Sequence, residues 1–305
     1  MKKLVIAGGS GFIGTVLAQH FKTRCEEVVI LSRSPQSPQG NICHVFWDAK
    51  TLGPWVAALE GSEVLINLTG KNVNCRYTPQ NKQEILASRL DSTNVLGEAL
   101  QHTKNPPRLW LQAGSSTIYN HSFTPNTESS TNIGNDFSMT VCKKWEEAFW
   151  AQPSTTTKKV LLRIAIVLGK EGGALPVLHR LTKWGLGGHQ GNGNQMVSWI
   201  DKNDFSRAIE WIMKQSKLKH VYNICHPNVV PNRQFMGVLR KVARMPIGIP
   251  HPAWLLEVGS AIIGTETELV LKSRAVAPAH LVEEGFQFHV ELRNAMRDLV
   301  TATNL

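Results

Sequence analysis

The sequence lacks several features that would place it in a class at once. It contains no run of eighteen apolar residues, so we expect no transmembrane helix and no membrane partner. Its five cysteines are an odd number, with no Cys-x-x-Cys pair and no zinc-type spacing to histidine. These absences argue against a disulfide framework and a zinc site, and they favour reduced thiols in a cytoplasmic protein.

Concentrated positive charge is also missing. The formal net charge is +10, but lysines and arginines occur singly or in pairs, without a block of five and without interleaved aromatic residues. We interpret this charge as a general field that favours phosphorylated ligands. A nucleic-acid partner is the lesser alternative, and we do not expect one.

What the chain does have is a glycine-rich turn between two apolar strands. Residues 3–7 are a short apolar run typical of a buried parallel strand, 12–22 predict an amphipathic helix, and 28–31 predict a second strand. Glycines at 9, 11 and 14 satisfy G-x-G-x-x-G, and those at 8, 11 and 14 satisfy the variant G-x-x-G-x-x-G. This motif between a strand and a helix predicts a dinucleotide-binding βαβ unit.

A pyrophosphate suits this turn for physical reasons. The first glycines allow a tight turn, the middle one lets backbone N–H groups approach the phosphates, and Gly14 lets helix and strand pack closely. The helix N-terminus adds unpaired N–H groups and a positive dipole end. A glycine turn without a ligand is the alternative. The candidate cofactor-binding residues here are Gly8, Ser10, Gly11, Phe12, Ile13 and Gly14.

The end of the second strand indicates which dinucleotide is bound. A ribose with a free 2′-hydroxyl usually meets Asp or Glu about twenty residues past the glycines. Here Ser32 and Arg33 stand at that place, and the acidic Glu26 and Glu27 come too early. A hydroxyl and a guanidinium suit a 2′-phosphate, so we predict NADP rather than NAD as the cofactor. The alternative is that Arg33 is a solvated loop cation.

A later strand adds candidates on the opposite side of the turn. Residues 63–68 predict a buried strand. Because ligands of doubly wound sheets lie off the carboxyl ends of the strands, residues there should flank the pyrophosphate or the nearer ribose. These candidates are Leu68, Thr69 and Gly70.

The helix that follows carries a charged pair. Thr78 and Pro79 favour a helix start, and the helix is predicted to run to about residue 102. Arg89 borders the face that packs on the sheet, and Glu84 lies near the same flank. Arg89 either reaches toward a cofactor phosphate or forms a structural ion pair, and we include Glu84 and Arg89 among the candidate cofactor-binding residues.

The alternation of strands and helices predicts an α/β fold, a Rossmann-type doubly wound parallel sheet. We predict an NADP-binding domain over residues 1–170, with 196–225 returning to its sheet, and a smaller, mainly helical C-terminal substrate lobe made of 171–195 and 226–305. Further strands are predicted at 43–47, 109–113, 160–168, 196–200 and 221–225, and further helices at 52–60, 137–151, 175–184 and 201–213.

Three motifs occur together in the chain: Gly8-x-x-Gly11-Phe12-Ile13-Gly14, Ser115-Ser116-Thr117-x-Tyr119 and Arg163-x-x-x-Val167-Leu168-Gly169. In combination they resemble the extended short-chain dehydrogenase/reductase, or NAD(P)-dependent epimerase/dehydratase, superfamily. The pairs Ser32-Arg33 and Ser88-Arg89 are similar to its epimerase-family branch, which includes a human NADP-binding epimerase-like protein. The resemblance implies NADP binding on a Rossmann fold, with Val167 near the cofactor and Ser115 as the catalytic hydroxyl.

The chain departs from the superfamily at the residues that carry its proton chemistry. That chemistry uses a Tyr-x-x-x-Lys pair on the helix after the fifth strand, where the lysine lowers the tyrosine pKa. Aligned on Glu146, the tyrosine position holds Ser138 and the lysine position holds Cys142. None of the three tyrosines in the chain has a lysine four residues later. Cys142 either faces the cofactor or is a buried inert thiol.

Two functions follow as alternatives. The first is an NADP-dependent oxidoreductase or epimerase-like enzyme that acts on an unidentified small-molecule substrate, nucleotide sugars included. The second is an NADP(H)-binding sensor or partner-binding protein without turnover, because the Tyr-x-x-x-Lys pair is absent. The sequence leaves the substrate, the reaction direction and the oligomeric state open.

Overall fold

The computed structural model describes residues 1–153, 156–252 and 272–301. The strands are β1 Lys3–Ala7, β2 Glu27–Ser32, β3 Ile42–Phe46, β4 Val64–Asn67, β5 Leu109–Ser115, β6 Ser122–Asn126, β7 Lys158–Ile164, β8 Ile166–Leu168, β9 Met196–Val197, β10 Trp199–Asp201, β11 Val221–Ile224, β12 Val230–Pro231 and β13 Arg274–Val276. The helices are α1 Phe12–Phe21, α2 Pro79–Gln101, α3 Phe137–Ala151, α4 Ala174–Lys183, α5 Lys202–Lys214, α6 Asn232–Val242, α7 Ala279–Glu283 and α8 Leu292–Thr301. None of these helices is long and apolar enough to cross a membrane.

Seven strands form one parallel sheet in the order β11-β7-β5-β4-β1-β2-β3. Every neighbouring pair in this sheet is parallel. The strand order reverses between β1 and β4, and a crevice opens at such a switch point, outside the carboxyl ends of the strands. The predicted α/β Rossmann-type fold is therefore confirmed, and its ligand crevice falls where the glycine turn follows β1.

The central strands are buried on both faces, as their continuous apolar sequences predict. On β1, Leu4 and Ile6 pack into one apolar cluster with residues of α1 and α5. Val5 and Ala7 point to the other face and pack with residues of α2. Alternate side chains of one strand thus join two helical layers, which fixes the register of the sheet.

Three predicted elements differ from the observed ones. The predicted strand 196–200 is divided into β9 and β10, and neither of them joins the main sheet. The predicted strand 160–168 is divided at Ala165, whose N–H donates to the carbonyl of Ile224, whereas the N–H of Ile166 donates to that of Ser198. As a result β8 leaves the main sheet and pairs with β10. The predicted helix 52–60 is a short 3-10 helix, Pro54–Ala58, whose Trp55 is anchored in the core.

A second region lies beyond the main sheet. Strands β12, β9, β13 and β6 form a four-stranded sheet, and side chains of α4, α6 and α8 share a separate apolar cluster. Of the predicted substrate lobe, residues 253–271 and 302–305 lie outside the described residues. The division into a cofactor domain and a substrate lobe remains a prediction.

Candidate functional site

The turn between β1 and α1 is pressed against the loop that follows β4. Gly8 has a φ of +72°, a left-handed conformation that favours glycine. A Cβ atom on Gly8 would lie 2.8 Å from Thr69 Oγ1. The backbone N–H of Leu68 donates to the carbonyl of Ala7 at 2.9 Å. The sequence candidates Gly8, Leu68 and Thr69 therefore meet at the switch point.

Gly14 brings α1 close to the same turn. A Cβ atom on Gly14 would lie 2.4 Å from Gly9 Cα. Gly11 is the N-cap of α1 and has no side chain that could cap the first N–H groups of the helix. The first turn of α1 contains no acidic residue. Ser10 and Gly11 are exposed at this helix end. Its N–H groups and positive dipole can therefore bind an anion such as a pyrophosphate.

Two buried hydroxyl groups flank the turn. Ser32 Oγ at the end of β2 and Thr69 Oγ1 after β4 are both buried and have no hydrogen-bond partner within the described ranges. Buried hydroxyls in folded proteins almost always have a partner. A sugar or phosphate oxygen bound at the glycine turn would supply one, so these residues fit a dinucleotide.

Arg33 lies next to this pair, after the end of β2. Its side chain is exposed, and no hydrogen bond or ion pair is recorded for it in the described part of the chain. Glu27 begins β2 and so stands at the opposite end of the strand. An open cleft beside the turn is lined by Ser10, Gln36 and other polar side chains. The position of Arg33 is compatible with a 2′-phosphate contact and equally with a solvated cation.

Arg89 is packed beneath the loop after β4 rather than extended into solvent. Its Nη1 donates to the carbonyls of Ile85 at 2.9 Å and Lys71 at 3.2 Å. Its guanidinium carbon is 5.0 Å from the centroid of the Trp145 ring. A Cβ atom on Gly70 would lie 3.1 Å from the same carbon. Burial lowers the pKa of Arg89.

The predicted alternative of a structural ion pair for Arg89 is not observed among the described residues. Glu84 is exposed, pairs with Lys71 and accepts a hydrogen bond from Gln80 at 3.0 Å. The guanidinium of Arg89 is therefore a half-buried cation held by carbonyl groups and an aromatic face.

Phe12 connects the glycine turn with the segment after β8. A Cβ atom on Gly169 would lie 2.7 Å from Phe12 Cζ, and one on Gly172 would lie 2.7 Å from Phe12 Cβ. Val167 on β8 is buried, 5% exposed, and Phe12 and Ile13 pack against the same apolar cluster. The candidates Phe12, Ile13 and Val167 thus share one packed region beside the turn.

A cleft of about 430 Å³, its open mouth included, lies between α2 and α3. Ser115 ends β5 at this cleft, and its Oγ accepts a hydrogen bond from the N–H of Thr117 at 3.2 Å. Ser138 and Cys142, the two positions aligned with the missing tyrosine and lysine, also line it. The full lining consists of Val73, Tyr77, Ile85, Arg89, Ser115, Thr117, Phe137, Ser138, Val141, Cys142 and Trp145.

Burial makes Cys142 a poor acid–base group. It raises the pKa of the thiol to about 12, and the nearby charge of Arg89 offsets only part of this rise. A thiol with such a pKa stays protonated at neutral pH. Cys142 therefore lines the cleft as an inert thiol, and its facing a bound cofactor stays a prediction.

This chemistry predicts a division of the five cysteines by reactivity. Cys25, Cys142 and Cys225 are buried and their thiol pKa values are raised, whereas Cys43 and Cys75 are partly exposed. With an aromatic disulfide reagent at mildly alkaline pH, we expect the two partly exposed thiols to react in the folded protein and the other three only in denaturant. Rapid modification of Cys142 in the folded protein would contradict its assignment as inert.

A buried polar network supports the Ser115 side of the cleft. Arg163 on β7 donates from Nε and Nη2 to the two carboxylate oxygens of Glu146 at 2.9 and 2.8 Å. Its Nη1 donates to the Tyr119 hydroxyl at 2.9 Å, and that hydroxyl lies 2.9 Å from Asn223 Oδ1. This network joins α3, β7 and β11 to the segment after Ser115, so it holds the hydroxyl-bearing turn in place.

Sequence reasoning did not identify Tyr77 and Phe137 as site residues. Tyr77 precedes the N-cap residue Thr78, and Phe137 is the first residue of α3. Their rings meet edge to face at the cleft, with centroids 4.9 Å apart. The scarcity of tyrosine in the chain was the available signal, because one of only three stands directly before the start of α2.

Comparison with known proteins agrees with this geometry. The chain is 30% identical over 304 residues to the epimerase family protein SDR39U1 of Mus musculus, covering 98% of this chain and 99% of that protein. It is also 30% identical over 300 residues to the epimerase family protein YfhF of Bacillus subtilis, with 97% of each chain covered.

Solved structures extend the comparison. The structure of human epimerase family protein SDR39U1 (isoform 2) with NADPH has a TM-score of 0.86 and 28% identity, over 99% of this chain and 100% of that one. MoeE5 in complex with UDP-glucuronic acid and NAD shares the fold, with a TM-score of 0.78 at 19% identity over 99% and 98% of the chains. The model of the NAD dependent epimerase/dehydratase family matches residues 4–225. The chain therefore belongs to the NAD dependent epimerase/dehydratase family.

Proposed function

We propose that this protein is a cytoplasmic NADP(H)-binding enzyme of the oxidoreductase or epimerase type that acts on a small, nucleotide-linked substrate. The observation that carries the proposal is the pair of buried, unsatisfied hydroxyls of Ser32 and Thr69 on either side of the glycine turn. The structure of the human relative with NADPH supports the choice of cofactor. The more distant neighbour MoeE5 was solved with NAD and either UDP-glucuronic acid or UDP-glucose, which supports sugar nucleotides as the first substrates to test.

In this proposal each part of the cofactor has its own residues. The pyrophosphate binds at the N-terminus of α1, with Ser10 and the glycine turn. The 2′-phosphate binds Ser32 and Arg33, which supply a hydroxyl and a guanidinium. Thr69 and Gly70 border the nearer ribose, and Arg89 adds positive charge behind that loop. The remaining proposed contacts are Gly8, Gly11, Phe12, Ile13, Gly14, Leu68, Glu84 and Val167, with Ser115 facing the reacting end.

The cofactor, when bound, supplies or removes a hydride; the chain has to provide the rest of the chemistry. Ser115 is a half-buried residue that lines the cleft, so its hydroxyl can orient a substrate oxygen by a hydrogen bond. The apolar walls of the cleft, such as Val141 and Ile85, limit access of water.

Selectivity between the two dinucleotides tests the proposed 2′-phosphate site. For Arg33→Ala we expect NADPH to bind about 10–100-fold more weakly, because a hydrogen bond to a charged group contributes about 1.5–3 kcal/mol. NADH, which lacks the 2′-phosphate, should bind with nearly unchanged affinity. Fluorescence titration of each reduced dinucleotide measures both constants.

Lys104→Ala is the matched control for this measurement. Lys104 is exposed and precedes β5, so the substitution removes the same charge at the amino ends of the strands, away from the crevice at their carboxyl ends. It should leave the affinity for both dinucleotides unchanged. Equal losses with the two variants would show that Arg33 acts only through net charge, and tighter binding of NADH than of NADPH by the unaltered protein would refute the proposed cofactor.

The alternative function is an NADP(H)-binding protein without turnover. The observation that favours it is the occupation of the tyrosine and lysine positions of α3 by Ser138 and Cys142. Incubation with NADPH and a panel of carbonyl compounds and UDP-sugars separates the two. Sustained loss of the NADPH absorbance, or conversion of a UDP-sugar to its epimer, supports the enzyme, whereas tight binding with neither result across the panel supports the alternative.

A further inference from the structure

The cleft beside the glycine turn lies between α1 and the edge strands β2 and β3. Its volume is about 410 Å³, its open mouth included. Of the described residues that line it, His44 is the one whose side chain can carry a charge. The full lining consists of Gly9, Ser10, Thr15, Ala18, Gln19, Ile30, Gln36, Gln39, Ile42 and His44. The cleft therefore runs from the glycine turn to a histidine on β3.

The chemistry of this lining suits a phosphate group. Hydroxyl and amide side chains surround the cleft, Ser10 lies at its glycine-turn end, and no carboxylate is present among the described residues that line it. A carboxylate would bind a free ribose hydroxyl and would repel a phosphate. Phe, Tyr and Trp are also missing from the described lining, so the cleft offers no large aromatic face on which an adenine could stack.

The register of β2 and β3 relates His44 to the proposed 2′-phosphate site. His44 pairs with Ile30, and Ser32 pairs with Phe46, in a parallel ladder. Because alternate residues of a strand share one face, Ser32 points to the same face as Ile30 and His44, the face that α1 covers. The usual strand spacing and rise put the Cα atoms of Ser32 and His44 about 8 Å apart. One phosphate group with a hydrogen bond on each side can bridge two side chains at that spacing.

The imidazole of His44 is free to make such a bond. No hydrogen bond to either ring nitrogen is recorded in the described part of the chain, and Nδ1 is buried, so Nε2 is the nitrogen left to face the cleft. Burial lowers the pKa of His44, so the ring is neutral at neutral pH and one of its nitrogens carries a proton. With that proton on Nε2, the ring is a hydrogen-bond donor into the cleft.

We propose that His44 determines specificity for NADP(H) by donating a hydrogen bond from Nε2 to the 2′-phosphate, which Ser32 and Arg33 bind from the end of β2. This inference rests on the proposed function, because it adds a third side chain to the same phosphate site. It places part of the selectivity on β3, a strand outside the opening βαβ unit.

Replacement of His44 tests the proposal through the two dinucleotides. For His44→Leu we expect NADPH to bind about ten-fold more weakly, because a hydrogen bond to a charged group is lost, whereas NADH affinity should not change. His44→Gln keeps a side-chain N–H donor and should bind NADPH within about three-fold of the unaltered protein. Fluorescence titration measures these constants. Unchanged NADPH affinity of His44→Leu, or an equal loss for NADH, overturns the proposal.

Cys43→Ala is the matched control for the strand. Cys43 is the neighbour of His44 and pairs with Val29, which packs into the apolar cluster on the other face of the sheet. The substitution changes the same edge strand away from the cleft, so the affinity for both dinucleotides should stay unchanged. A loss of NADPH affinity as large as that of His44→Leu would show that any disturbance of β3 weakens binding, which contradicts a specific role of His44.

Nuclear magnetic resonance of the imidazole gives a readout that does not depend on the folding of His44→Leu. The signal of His44 is the one missing from His44→Gln. Adenosine 2′,5′-bisphosphate should shift this signal in the unaltered protein, whereas adenosine 5′-monophosphate, which lacks the 2′-phosphate, should leave it in place. Equal shifts with the two probes, or no shift with either, contradict the proposal.

Failure of this inference and failure of the proposed function have different signatures. If the unaltered protein does not bind NADPH, the proposed function is refuted and the role of His44 with it. If it binds NADPH tightly and selectively, but His44→Leu and the imidazole signal show no dependence on the 2′-phosphate, the role of His44 alone is refuted.

Discussion

Arg163→Met is expected to lower the free energy of unfolding by about 3–5 kcal/mol, a large share of the stability of a typical domain. Arg163 and Glu146 are 7% and 8% exposed and are joined by two short hydrogen bonds. Burial opposes the charge on Arg163, but the hydrogen bonds and charge of Glu146 raise its pKa overall. Without the guanidinium, Glu146 is left as a buried charge with no counter-ion among the described residues. Urea unfolding followed by circular dichroism measures the loss.

Two controls distinguish the cost of breaking a buried ion pair from the cost of breaking any ion pair. Lys214→Met breaks the pair with Glu210, in which the Lys214 side chain is 70% exposed, and should cost less than about 1 kcal/mol. The double substitution of Arg163→Met with Glu146→Leu removes both charges and should recover part of the loss. A single Arg163→Met variant as stable as the unaltered protein would show that the network does not hold this part of the fold.

The second large effect is expected for Gly14→Ala, which should weaken NADPH binding at least about 100-fold and also destabilise the free protein by about 1–3 kcal/mol. The new Cβ atom would lie 2.4 Å from Gly9 Cα, and a backbone atom cannot move aside as a flexible side chain can. Helix α1 must therefore shift away from the turn, and its N–H groups lose their position in front of the phosphates. NADPH titration and urea unfolding measure the two effects.

Gly237→Ala on α6 is the matched control. A Cβ atom there would approach only Arg240 Nη2, at 4.0 Å, so no clash results. Alanine is the better helix former by up to about 1 kcal/mol, so this variant should be as stable as the unaltered protein or more so. Its NADPH affinity should not change. Full NADPH affinity of Gly14→Ala would contradict the proposed role of the turn.

Much of the main sheet could be predicted because its signals are local. The apolar runs of β1, β2 and β4 lie within the predicted ranges to within a residue, and the glycine spacing places a turn between β1 and α1. The break between β7 and β8 has no such signal, since every residue from Val160 to Leu168 except Arg163 is apolar. The break arises because β7 pairs with β11 whereas β8 pairs with β10. Both of these partner strands lie more than thirty residues further along the chain.

The small four-stranded sheet escaped prediction for a similar reason. Strand β6 has the sequence Ser-Phe-Thr-Pro-Asn, which contains a proline and no apolar alternation. Its partner β13 lies about 150 residues later, so only tertiary contacts define it as a strand.

The glycine-turn part of the candidate site was more predictable than the cleft between α2 and α3. Ser32, Thr69 and the glycines follow predicted strands directly, and the carboxyl ends of parallel strands share one edge. The meeting of Tyr77 with Phe137 depends on how α2 packs on α3, and the two residues are sixty positions apart. No rule of sequence spacing connects Tyr77 with Phe137, so the residues that line the cleft could be identified only from the three-dimensional structure.

The contact between Phe12 and the segment after β8 also limits how related sequences can diverge. Gly169 faces the tip of the Phe12 ring, whereas Gly172 faces its Cβ atom. A descendant with a short residue at position 12 could therefore accept a side chain at 169, but position 172 would stay restricted to glycine whichever non-glycine residue replaced the phenylalanine. In an alignment of related sequences, substitutions at positions 12 and 169 should therefore covary. Position 172 should stay glycine and covary with neither.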